Sequence, residues 1–431
     1  MKVKFLSLGC KTNQYESNSM EQSFISHGFE ITDSLDDADI YVVNTCSVTN
    51  VAERKSRQML RRAKEINEDI IVVACGCYAQ VAKEELESLP EIDIVLGTNE
   101  KNNIVKTVQD FIDNREKERK VSLVSDVLHQ GEYQEFGTTT YTELTRAVIK
   151  IQDGCDRFCT YCIIPYARGK VRSRRKEEIL KEIEANVKEG IQEVVLTGIH
   201  IASYGKDFEE HYELIDLLED INKIENLKRI RFGSIEPKYI TEDVVKRLKN
   251  LDKLCDHFHL SLQSGCDETL KRMNRRYTTE EFKESVNLLR KAFPNVALTT
   301  DVIVGFPGET EEEFNKTYNF LKEINFYEMH VFKYSPRRGT AAEKMPNQVP
   351  GNIKEERSKK LLELSTNNEQ NFNKKYIGKE VEVLFEEREN EYFKGHTTNY
   401  ILVYTKTDED LENKMLKLTI KEIKDNKVIA E

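Results

Sequence analysis

The stretch Gly154-Cys155-Asp156-Arg157-Phe158-Cys159-Thr160-Tyr161-Cys162 sets three cysteines in a C-x₃-C-x₂-C loop. Three closely spaced thiolates serve one metal centre. Zinc in a structural site needs a fourth protein ligand, whereas a [4Fe–4S] cluster held by three cysteines keeps one iron open for a reacting ligand. The spacing therefore predicts a catalytic cluster site. The alternative, a structural zinc loop completed by Cys266 or a histidine, is disfavoured because zinc cysteines usually come in C-x₂₋₄-C pairs.

Outward from this loop, the sequence alternates apolar strands with amphipathic helices. Six such repeats fall short of the eight in a complete TIM barrel, so we expect a partial, open-sided (βα)₆ barrel. Catalytic groups gather at the carboxyl ends of parallel strands, and the loop follows the first strand. The predicted strands are Ala147–Ile151, Glu193–Leu196, Arg229–Phe232, Phe258–Leu262, Thr300–Val304 and Met329–Phe332. The predicted helices are Lys176–Glu189, Tyr212–Ile224, Thr241–Leu251, Thr278–Ala292 and Thr310–Ile324.

The flanking regions have patterns of their own, and the whole chain is predicted to be an α/β protein. Residues 1–115 predict an open α/β sheet, 116–143 a linker, 144–371 the barrel with a connecting helix, and 372–431 a small OB-like β-barrel. The N-terminal strands are predicted at Val3–Leu8, Ile40–Asn44, Ile70–Ala74 and Ile92–Leu96, with helices near Gln14–His27, Val51–Ile66 and Val81–Leu89. The C-terminal strands are predicted at Glu380–Phe385, Ile401–Thr405, Met415–Ile420 and Lys427–Ala430.

Composition restricts the class of protein. With 39% hydrophobic and 33% charged residues in 431, the chain is typical of a globular protein with two or three domains. No apolar run reaches the roughly 18 residues of a membrane span, and the N-terminus lacks a signal-peptide pattern, so we expect a cytoplasmic protein without a membrane partner. Nine cysteines in such a protein indicate metal or redox chemistry. The net charge of −11 gives no support to nucleic-acid binding, which would require local basic patches.

A second set of cysteines, Cys10, Cys46 and Cys77, is dispersed in the sequence, but each follows one of the first three predicted strands. Parallel strands would bring them to one sheet edge, where they could bind a second cluster through three ligands. The alternative is three unrelated buried cysteines. Cys75 is interpreted as a buried bystander, and Cys255 and Cys266 are interpreted as structural.

Several stretches resemble those of the radical S-adenosylmethionine (SAM) methylthiotransferases, a family that inserts a methylthio group at an unactivated carbon. The resemblance covers nearly the whole chain, including a TRAM-like C-terminal segment. The matching stretches are Leu8–Ser17 (LGCKTNQYES), Asn44–Thr49 (NTCSVT), Gly76–Gln80 (GCYAQ), the cysteine loop, Leu196–Gly198 (LTG), Ser234–Pro237 (SIEP), Val304–Thr310 (VGFPGET) and Tyr334–Arg337 (YSPR).

The resemblance implies two [4Fe–4S] clusters, SAM, an electron donor and a sulfur source. The cluster on Cys155, Cys159 and Cys162 would bind SAM, whose reductive cleavage gives a 5′-deoxyadenosyl radical. The cluster on Cys10, Cys46 and Cys77 would hold the incoming sulfur. Residues expected to contact SAM are Thr197, Gly198, Ser234, Glu236, Val302 and Gly305. Each also has a simpler interpretation, such as a turn glycine or an ion pair at Glu236.

Members of this family differ in substrate. Some act on N6-threonylcarbamoyladenosine in tRNA, at the adenosine 3′-adjacent to the anticodon. Others act on N6-isopentenyladenosine in tRNA, and a third set on a ribosomal-protein aspartate. The segment Gly9–Glu16 resembles the threonylcarbamoyl type, whereas the isopentenyl type usually carries Gln-Met-Asn after this cysteine. A non-enzymatic iron–sulfur redox or sensor protein is the alternative from another class.

Binding of tRNA requires local positive charge. Arg54, Arg57 and Arg61 recur at helical spacing, and Arg272 and Arg276 belong to a second group. A third group follows the cysteine loop, and it comprises Arg168, Lys170, Arg172, Arg174, Arg175 and Lys176. Such groups could bind phosphates, although many charged runs are simply solvated faces.

Overall fold

The computed structural model describes residues 1–114, 120–129, 131–141 and 145–431, so part of the predicted linker lies outside the described residues. The N-terminal strands are β1 (Lys2–Ser7), β2 (Glu30–Ile31), β3 (Ile40–Thr45), β4 (Ile71–Gly76), β5 (Ile94–Leu96) and β6 (Val121–Leu123). The helices are α1 (Lys11–Ser26), α2 (Asn50–Ile66), α3 (Cys77–Val81), α4 (Lys83–Glu87) and α5 (Ile104–Asp113). The strands form one parallel sheet in the order β2-β1-β3-β4-β5-β6.

Both faces of this sheet are covered. In β3, Ile40 and Val42 pack with α1 and α5, whereas the alternating Tyr41 and Val43 pack on the other face with α2. Every residue of β3 and β4 is buried. Continuous apolar runs of this kind are typical of central parallel strands, which are buried on both sides.

Three features of this region differ from the prediction. The helix predicted near Val81–Leu89 is present but shorter, as α4, and a further short helix, α3, precedes it and meets it at Ala82. Helix α3 starts directly at Cys77, since Gly76 with φ of +99° turns the chain from strand to helix without a loop. The edge strands β2 and β6 were missed because they are only two and three residues long. Strand β6 comes from the segment predicted as a linker.

The central region contains β7 (Arg146–Lys150), β8 (Gln152–Asp153), β9 (Arg172–Ser173), β10 (Glu193–Thr197), β11 (Arg229–Phe232), β12 (His257–Gln263), β13 (Ala297–Val304) and β14 (Glu328–Lys333). Its helices are α6 (Ile164–Arg168), α7 (Lys176–Lys188), α8 (Leu214–Asn222), α9 (Glu242–Leu248), α10 (Asp267–Arg272), α11 (Thr279–Ala292), α12 (Glu311–Ile324) and α13 (Gly351–Lys374).

Six of these strands form the expected partial barrel. Two parallel sheets, β7-β10-β11 and β12-β13-β14, are joined by the single parallel bridges Ile230–Leu254 and Ile235–Leu260. Helices α11 and α12 each start with a capping box, in which Thr278 or Thr310 exchanges hydrogen bonds with the glutamate three residues later. The short antiparallel pair β8-β9 extends from the end of β7 and supports the cysteine loop.

The C-terminal region is a closed five-stranded barrel. Its strands are β15 (Glu380–Glu389), β16 (Tyr392–Thr397), β17 (Leu402–Lys406), β18 (Met415–Lys424) and β19 (Lys427–Ala430), in the order β15-β16-β17-β19-β18. Strand β16 was missed because Lys394 and Gly395 interrupt its apolar pattern. A Cβ at Gly395 would lie 2.1 Å from the carbonyl oxygen of Leu384, so the close approach of β15 requires glycine there.

The fold-class prediction is confirmed in its three parts: an open α/β sheet, a partial barrel and a small β-barrel. The exact domain boundaries stay predictions. Among the described residues, we find no helix with the length and apolar character that crossing a bilayer requires.

Candidate active site

The cysteine loop is held between two parts of the partial barrel. The backbone N–H of Cys155 donates to the carbonyl of Gly169, 2.9 Å away. Asn274, just after α10, donates to the carbonyl of Phe158 at 3.0 Å. Gly154 has φ of +71°, and a Cβ there would lie 1.8 Å from the carbonyl oxygen of Lys170. The loop can therefore turn away from β8 only with glycine at this position.

The thiols of this loop suit a cluster that remains partly accessible. Cys155, Cys159 and Cys162 are free and partly exposed. Arg275 donates from Nη1 to Sγ of Cys159 at 3.3 Å, a contact that favours a thiolate. Burial raises the pKa of Cys155 to about 11 and that of Cys162 to about 12, so without a metal both thiols are protonated at neutral pH. Cluster binding would displace these protons.

The second set of cysteines also converges. Strands β1, β3 and β4 are neighbours, and their ends bring Cys10, Cys46 and Cys77 to one sheet edge. A Cβ on Gly9, at φ of +101°, would lie 2.7 Å from Sγ of Cys46. Burial raises the pKa of Cys46 to about 11; the Val48 N–H lowers it, and the nearby Cys77 and Cys10 raise it further. The three thiols lie at a sheet edge where Cys46 approaches Gly9 too closely for any side chain at position 9. This arrangement fits a cluster site. Their role as ligands stays a prediction.

A buried ionic network connects the two cysteine sets. Arg168, at the end of α6, donates from Nε to Sγ of Cys77 at 3.3 Å. Its Nη1 reaches Glu16 at 2.7 Å and Asp153 at 3.0 Å. Lys150 also bridges Glu16 and Asp153, with both distances 2.6 Å, and Lys101 contacts Glu16 at 2.5 Å. Asp153 in turn accepts from the backbone N–H of Gly154 at 2.8 Å. The network therefore extends from Cys77 to the residue preceding Cys155.

The charges of this network favour an anionic neighbour. Three cations, Arg168, Lys150 and Lys101, surround Glu16, and Arg172 joins Arg168 and Lys150 around Asp153. Burial would raise the pKa of Glu16, but these cations hold it well below its usual range, so the carboxylate stays ionised. Three thiolates on a cluster would supply the negative charge that the network lacks.

One prediction from the sequence is wrong here. Three members of the basic group after the cysteine loop, Arg168, Arg172 and Arg174, are buried and cannot form an RNA-binding surface. Arg174 pairs with Glu182 and Glu135, and Arg172 donates to Asn99 at 3.0 Å. Their burial was not visible in the local pattern, because partners such as Asn99 and Glu135 lie 73 and 39 positions away.

A cavity of about 650 Å³ opens between the N-terminal sheet edge and the carboxyl ends of the barrel strands. Cys10 lines one side, and Ile164, two residues after Cys162, lines another. Of the residues expected to contact SAM, Thr197, Gly198 and Ser234 line this cavity.

The other expected SAM contacts lie elsewhere. Glu236 pairs with Arg157 of the cysteine loop and lies 3.3 Å from His200, so the ion-pair interpretation is realised. Burial opposes ionisation, but His200 and Arg157 bring the pKa of Glu236 to about 2. Val302 points into the barrel core, and a Cβ at Gly305 would lie 2.3 Å from Cγ of Lys354. These SAM assignments stay predictions.

Comparison with known proteins identifies the family. Residues 149–321 match the Radical SAM superfamily, and residues 2–97 match the Uncharacterized protein family UPF0004. The chain is 43% identical over 424 residues to the threonylcarbamoyladenosine tRNA methylthiotransferase MtaB of Bacillus subtilis (strain 168), in a match that covers 97% of this chain and 93% of the relative. The chain belongs to the radical SAM tRNA methylthiotransferases.

One further relative and one solved structure are also similar to this chain. The methylthiotransferase is also 39% identical over 384 residues to the tRNA-2-methylthio-N(6)-dimethylallyladenosine synthase of Clostridium tetani (strain Massachusetts / E88), covering 88% of this chain and 84% of the relative. Its fold is similar to that of the radical SAM methyltransferase TsrM from Kitasatospora setae, with a TM-score of 0.58, 14% identity and coverage of 79% and 77%. Family membership implies SAM and a [4Fe–4S] cluster as cofactors and tRNA as substrate.

The five arginines of the methylthiotransferase that are predicted to bind RNA differ from one another in exposure and in ion pairing. Arg54, Arg61 and Arg276 are exposed. Arg57 lies 3.1 Å from a carboxylate oxygen of Glu85, and Arg272 forms two hydrogen bonds to Glu313. Arg61, although exposed, lies 3.8 Å from a carboxylate oxygen of Glu91. Arg57, Arg61 and Arg272 are therefore partly neutralised within the protein, and the RNA-binding role of all five arginines stays a prediction.

Sequence reasoning missed Arg168 and Arg275 as residues that contact the cysteines. For Arg168 the available signal was its position directly after the apolar segment 163–167, which places a charge beside buried residues. Arg275 had no signal, because its contact with Cys159 joins segments 116 residues apart.

Proposed function

We propose that this methylthiotransferase converts N6-threonylcarbamoyladenosine to its 2-methylthio derivative in tRNA, at the adenosine 3′-adjacent to the anticodon. The identity with the Bacillus subtilis relative and the segment Gly9–Glu16 support this substrate. The observation that carries the proposal is the buried ionic network through Arg168, which joins the sheet edge at Cys77 to the base of the cysteine loop beside one cavity. Cys10 lines that cavity, and the loop that ends at Cys162 reaches it through Ile164.

The proposal includes two clusters, one on each cysteine set. When bound, the clusters and SAM supply one-electron radical chemistry and the sulfur that is inserted. The chain itself orients these groups. Arg275 stabilises the thiolate of Cys159, and Arg168 stabilises that of Cys77. Thr197, Gly198 and Ser234 offer polar and backbone groups for SAM at the strand ends.

Rigid coupling of the two cysteine sets is the main structural contribution of the chain. Glu16 belongs to α1, the helix that starts directly after Cys10, whereas Asp153 precedes the cysteine loop. Arg168 and Lys150 bind both of these carboxylates. Sulfur insertion requires a substrate carbon to be reached from both cofactor sites. A network of buried charges holds the two sites at a fixed separation.

The experiment that tests the proposal uses protein reconstituted anaerobically with iron and sulfide, SAM and a reductant. Two tRNAs compete in one reaction, one carrying threonylcarbamoyladenosine and the other isopentenyladenosine, and the nucleosides are analysed by mass spectrometry. We expect methylthio product on the threonylcarbamoyl nucleoside. Product only on the isopentenyl nucleoside would establish the substrate of the Clostridium tetani relative instead. No product on either would contradict a tRNA methylthiotransferase and leave the ribosomal-protein substrate or a redox role.

A further inference from the structure

The 650 Å³ cavity contains one ammonium group whose partner is missing from the described residues. Lys11 is the first residue of α1, directly after Cys10, and its side chain is exposed and lines the cavity. Within the described residues, no carboxylate oxygen lies within 4.0 Å of its Nζ and no hydrogen bond joins it to another residue. The charges that act on this ammonium from farther away are those of Arg146 and Arg231, which repel it, and of Glu193, which attracts it. A cation without a contacting carboxylate favours an anionic ligand.

The other ionisable side chains of the cavity are already engaged. Arg231 donates to Glu193 at 3.0 Å and to the carbonyls of Thr397 and Thr398 at 3.2 and 3.1 Å. His259 lies 3.3 Å from Asp301, and His330 lies 3.8 Å from Glu328. These pairs leave Lys11 as the available cation among the described residues that line the cavity.

His257, which also lines the cavity, adds no positive charge. Its Nε2 lies 3.1 Å from the hydroxyl of Thr299, and its ring stacks on Tyr400. Burial and the nearby Arg231 hold the pKa of His257 well below its usual range, so its ring is neutral at pH 7.

The start of α1 reinforces the positive character of this corner. The N-terminus of the helix has no side-chain cap, and its first turn contains no acidic residue. Backbone N–H groups at such a terminus carry partial positive charge and favour anions. The ammonium of Lys11 and the helix terminus therefore both favour the binding of an anion at this corner of the cavity.

The proposed substrate carries a group that fits this corner. C6, which carries N6, and C2 of adenine flank the same ring nitrogen, N1, so a substituent on N6 lies beside the edge where the methylthio group is added. The threonylcarbamoyl substituent ends in a carboxylate, which the isopentenyl substituent lacks. If C2 faces the cysteine edge at Cys10, the carboxylate comes within reach of the residue next to it, Lys11.

We infer that Lys11 binds the carboxylate of the threonylcarbamoyl group and so selects this substrate over nucleosides with an uncharged N6 substituent. The inference rests on the proposed function, because it takes the substrate from it. It adds a specificity-determining contact that orients the nucleoside toward Cys10.

The test measures binding with synthetic anticodon stem-loop RNAs that carry either threonylcarbamoyladenosine or its neutral carboxamide analogue. The proteins are the reconstituted wild type, Lys11→Met, the charge-retaining Lys11→Arg, and Lys106→Met as a control at an exposed lysine of α5. We expect the wild type and Lys106→Met to bind the acid about tenfold or more tightly than the amide, the range of a hydrogen bond to a charged group. Lys11→Met should bind both RNAs equally, at the weaker level, and Lys11→Arg should keep part of the preference.

Three results would overturn the inference. The first is a wild type that binds acid and amide equally. The second is a Lys11→Met variant that keeps the acid preference at wild-type affinity. The third is a Lys11→Met variant that loses affinity for both RNAs to the same extent, as expected if Lys11 served only the cysteine cluster. Methylthio product is measured on the acid RNA in the same samples. Absence of product with the wild type contradicts the proposed function, whereas the acid-against-amide ratio decides the role of Lys11 separately.

Discussion

Arg168 donates a hydrogen bond from Nε to Sγ of Cys77, 3.3 Å away, although 91 positions separate the two residues in the chain. The same guanidinium binds Asp153 and Glu16, so one buried side chain contacts the N-terminal cysteine edge and the base of the cysteine loop. Substitutions in this connection and in the groups around it should therefore affect both cysteine sets.

Replacement of Arg168 by methionine is expected to destabilise the protein. The change keeps much of the side-chain volume but leaves Glu16 and Asp153 with fewer compensating cations in a buried site. Breaking a buried pair in this way typically lowers the free energy of unfolding by about 3–5 kcal/mol. Denaturant titration of the reconstituted protein measures the loss. Arg62→Met, at an exposed position of α2, is the control and should change stability by less than about 0.5 kcal/mol; equal stability of Arg168→Met and the wild type would contradict the role of the network.

The two cysteine sets are expected to have separable functions. Cys159→Ala should abolish cleavage of SAM to 5′-deoxyadenosine. Cys46→Ala should retain cleavage but stop methylthio insertion, and its iron content should fall from about eight to about four atoms per chain. Iron analysis and chromatography of the reaction products check both statements.

A matched control for the N-terminal set is Cys75→Ala. Cys75 is fully buried in β4, and its Sγ lies 3.6 Å from the carbonyl of Val43. Removal of this thiol should leave the iron content unchanged. Full methylthio product with Cys46→Ala, or a lower iron content with Cys75→Ala, would show that the cluster ligands are assigned incorrectly.

The reactivity of Cys155 should depend steeply on pH when iron is removed by a chelator. Burial raises the pKa of this thiol to about 11, so the reactive thiolate is a small fraction at neutral pH. That fraction, and with it the rate of alkylation, should rise about tenfold per pH unit until the pH approaches the pKa. Peptide mapping after timed alkylation measures the rate, and circular dichroism monitors the fold. A rate that levels off at about pH 9 would indicate a thiol with an ordinary pKa.

The exposed arginines are expected to contribute to tRNA binding through phosphates. A variant with Arg54, Arg61 and Arg276 all changed to alanine should bind tRNA more weakly. The slope of log K against log salt concentration should fall by about 1 for each phosphate that the variant no longer binds. Filter binding at several salt concentrations measures this slope. Lys106→Ala, on the opposite face of the N-terminal sheet from α2, should leave the slope unchanged, and an unchanged slope in the triple variant would exclude these arginines from the interface.

The sequence predicted the positions of strands and of both cysteine sets because these depend on local patterns. The apolar runs of β3 and β4 and the spacing within the cysteine loop are visible over a few residues. The alternation of apolar strands and amphipathic helices predicts parallel neighbouring strands. Such strands then bring Cys10, Cys46 and Cys77 together at one sheet edge.

Other features depend on contacts between distant segments and could not be predicted. Arg168 was interpreted as part of an exposed basic group, but it is buried because Glu16 and Asp153 compensate its charge, and Glu16 is 152 positions away. Strand β16 was missed because Gly395 weakens its pattern, although the carbonyl of Leu384 requires glycine at that position. The open cavity position of Lys11 likewise depends on how β11, β12 and α1 meet.

The most direct measurement of the central claim follows the methyl label of SAM into tRNA. Reconstituted protein, a reductant, methyl-deuterated SAM and tRNA carrying threonylcarbamoyladenosine are incubated anaerobically, and the nucleosides are analysed by mass spectrometry. We predict a 2-methylthio-N6-threonylcarbamoyladenosine that carries the deuterated methyl group, with 5′-deoxyadenosine formed in the same reaction. Formation of 5′-deoxyadenosine without a labelled methylthio nucleoside would contradict the assignment of this chain as the enzyme that modifies that nucleoside.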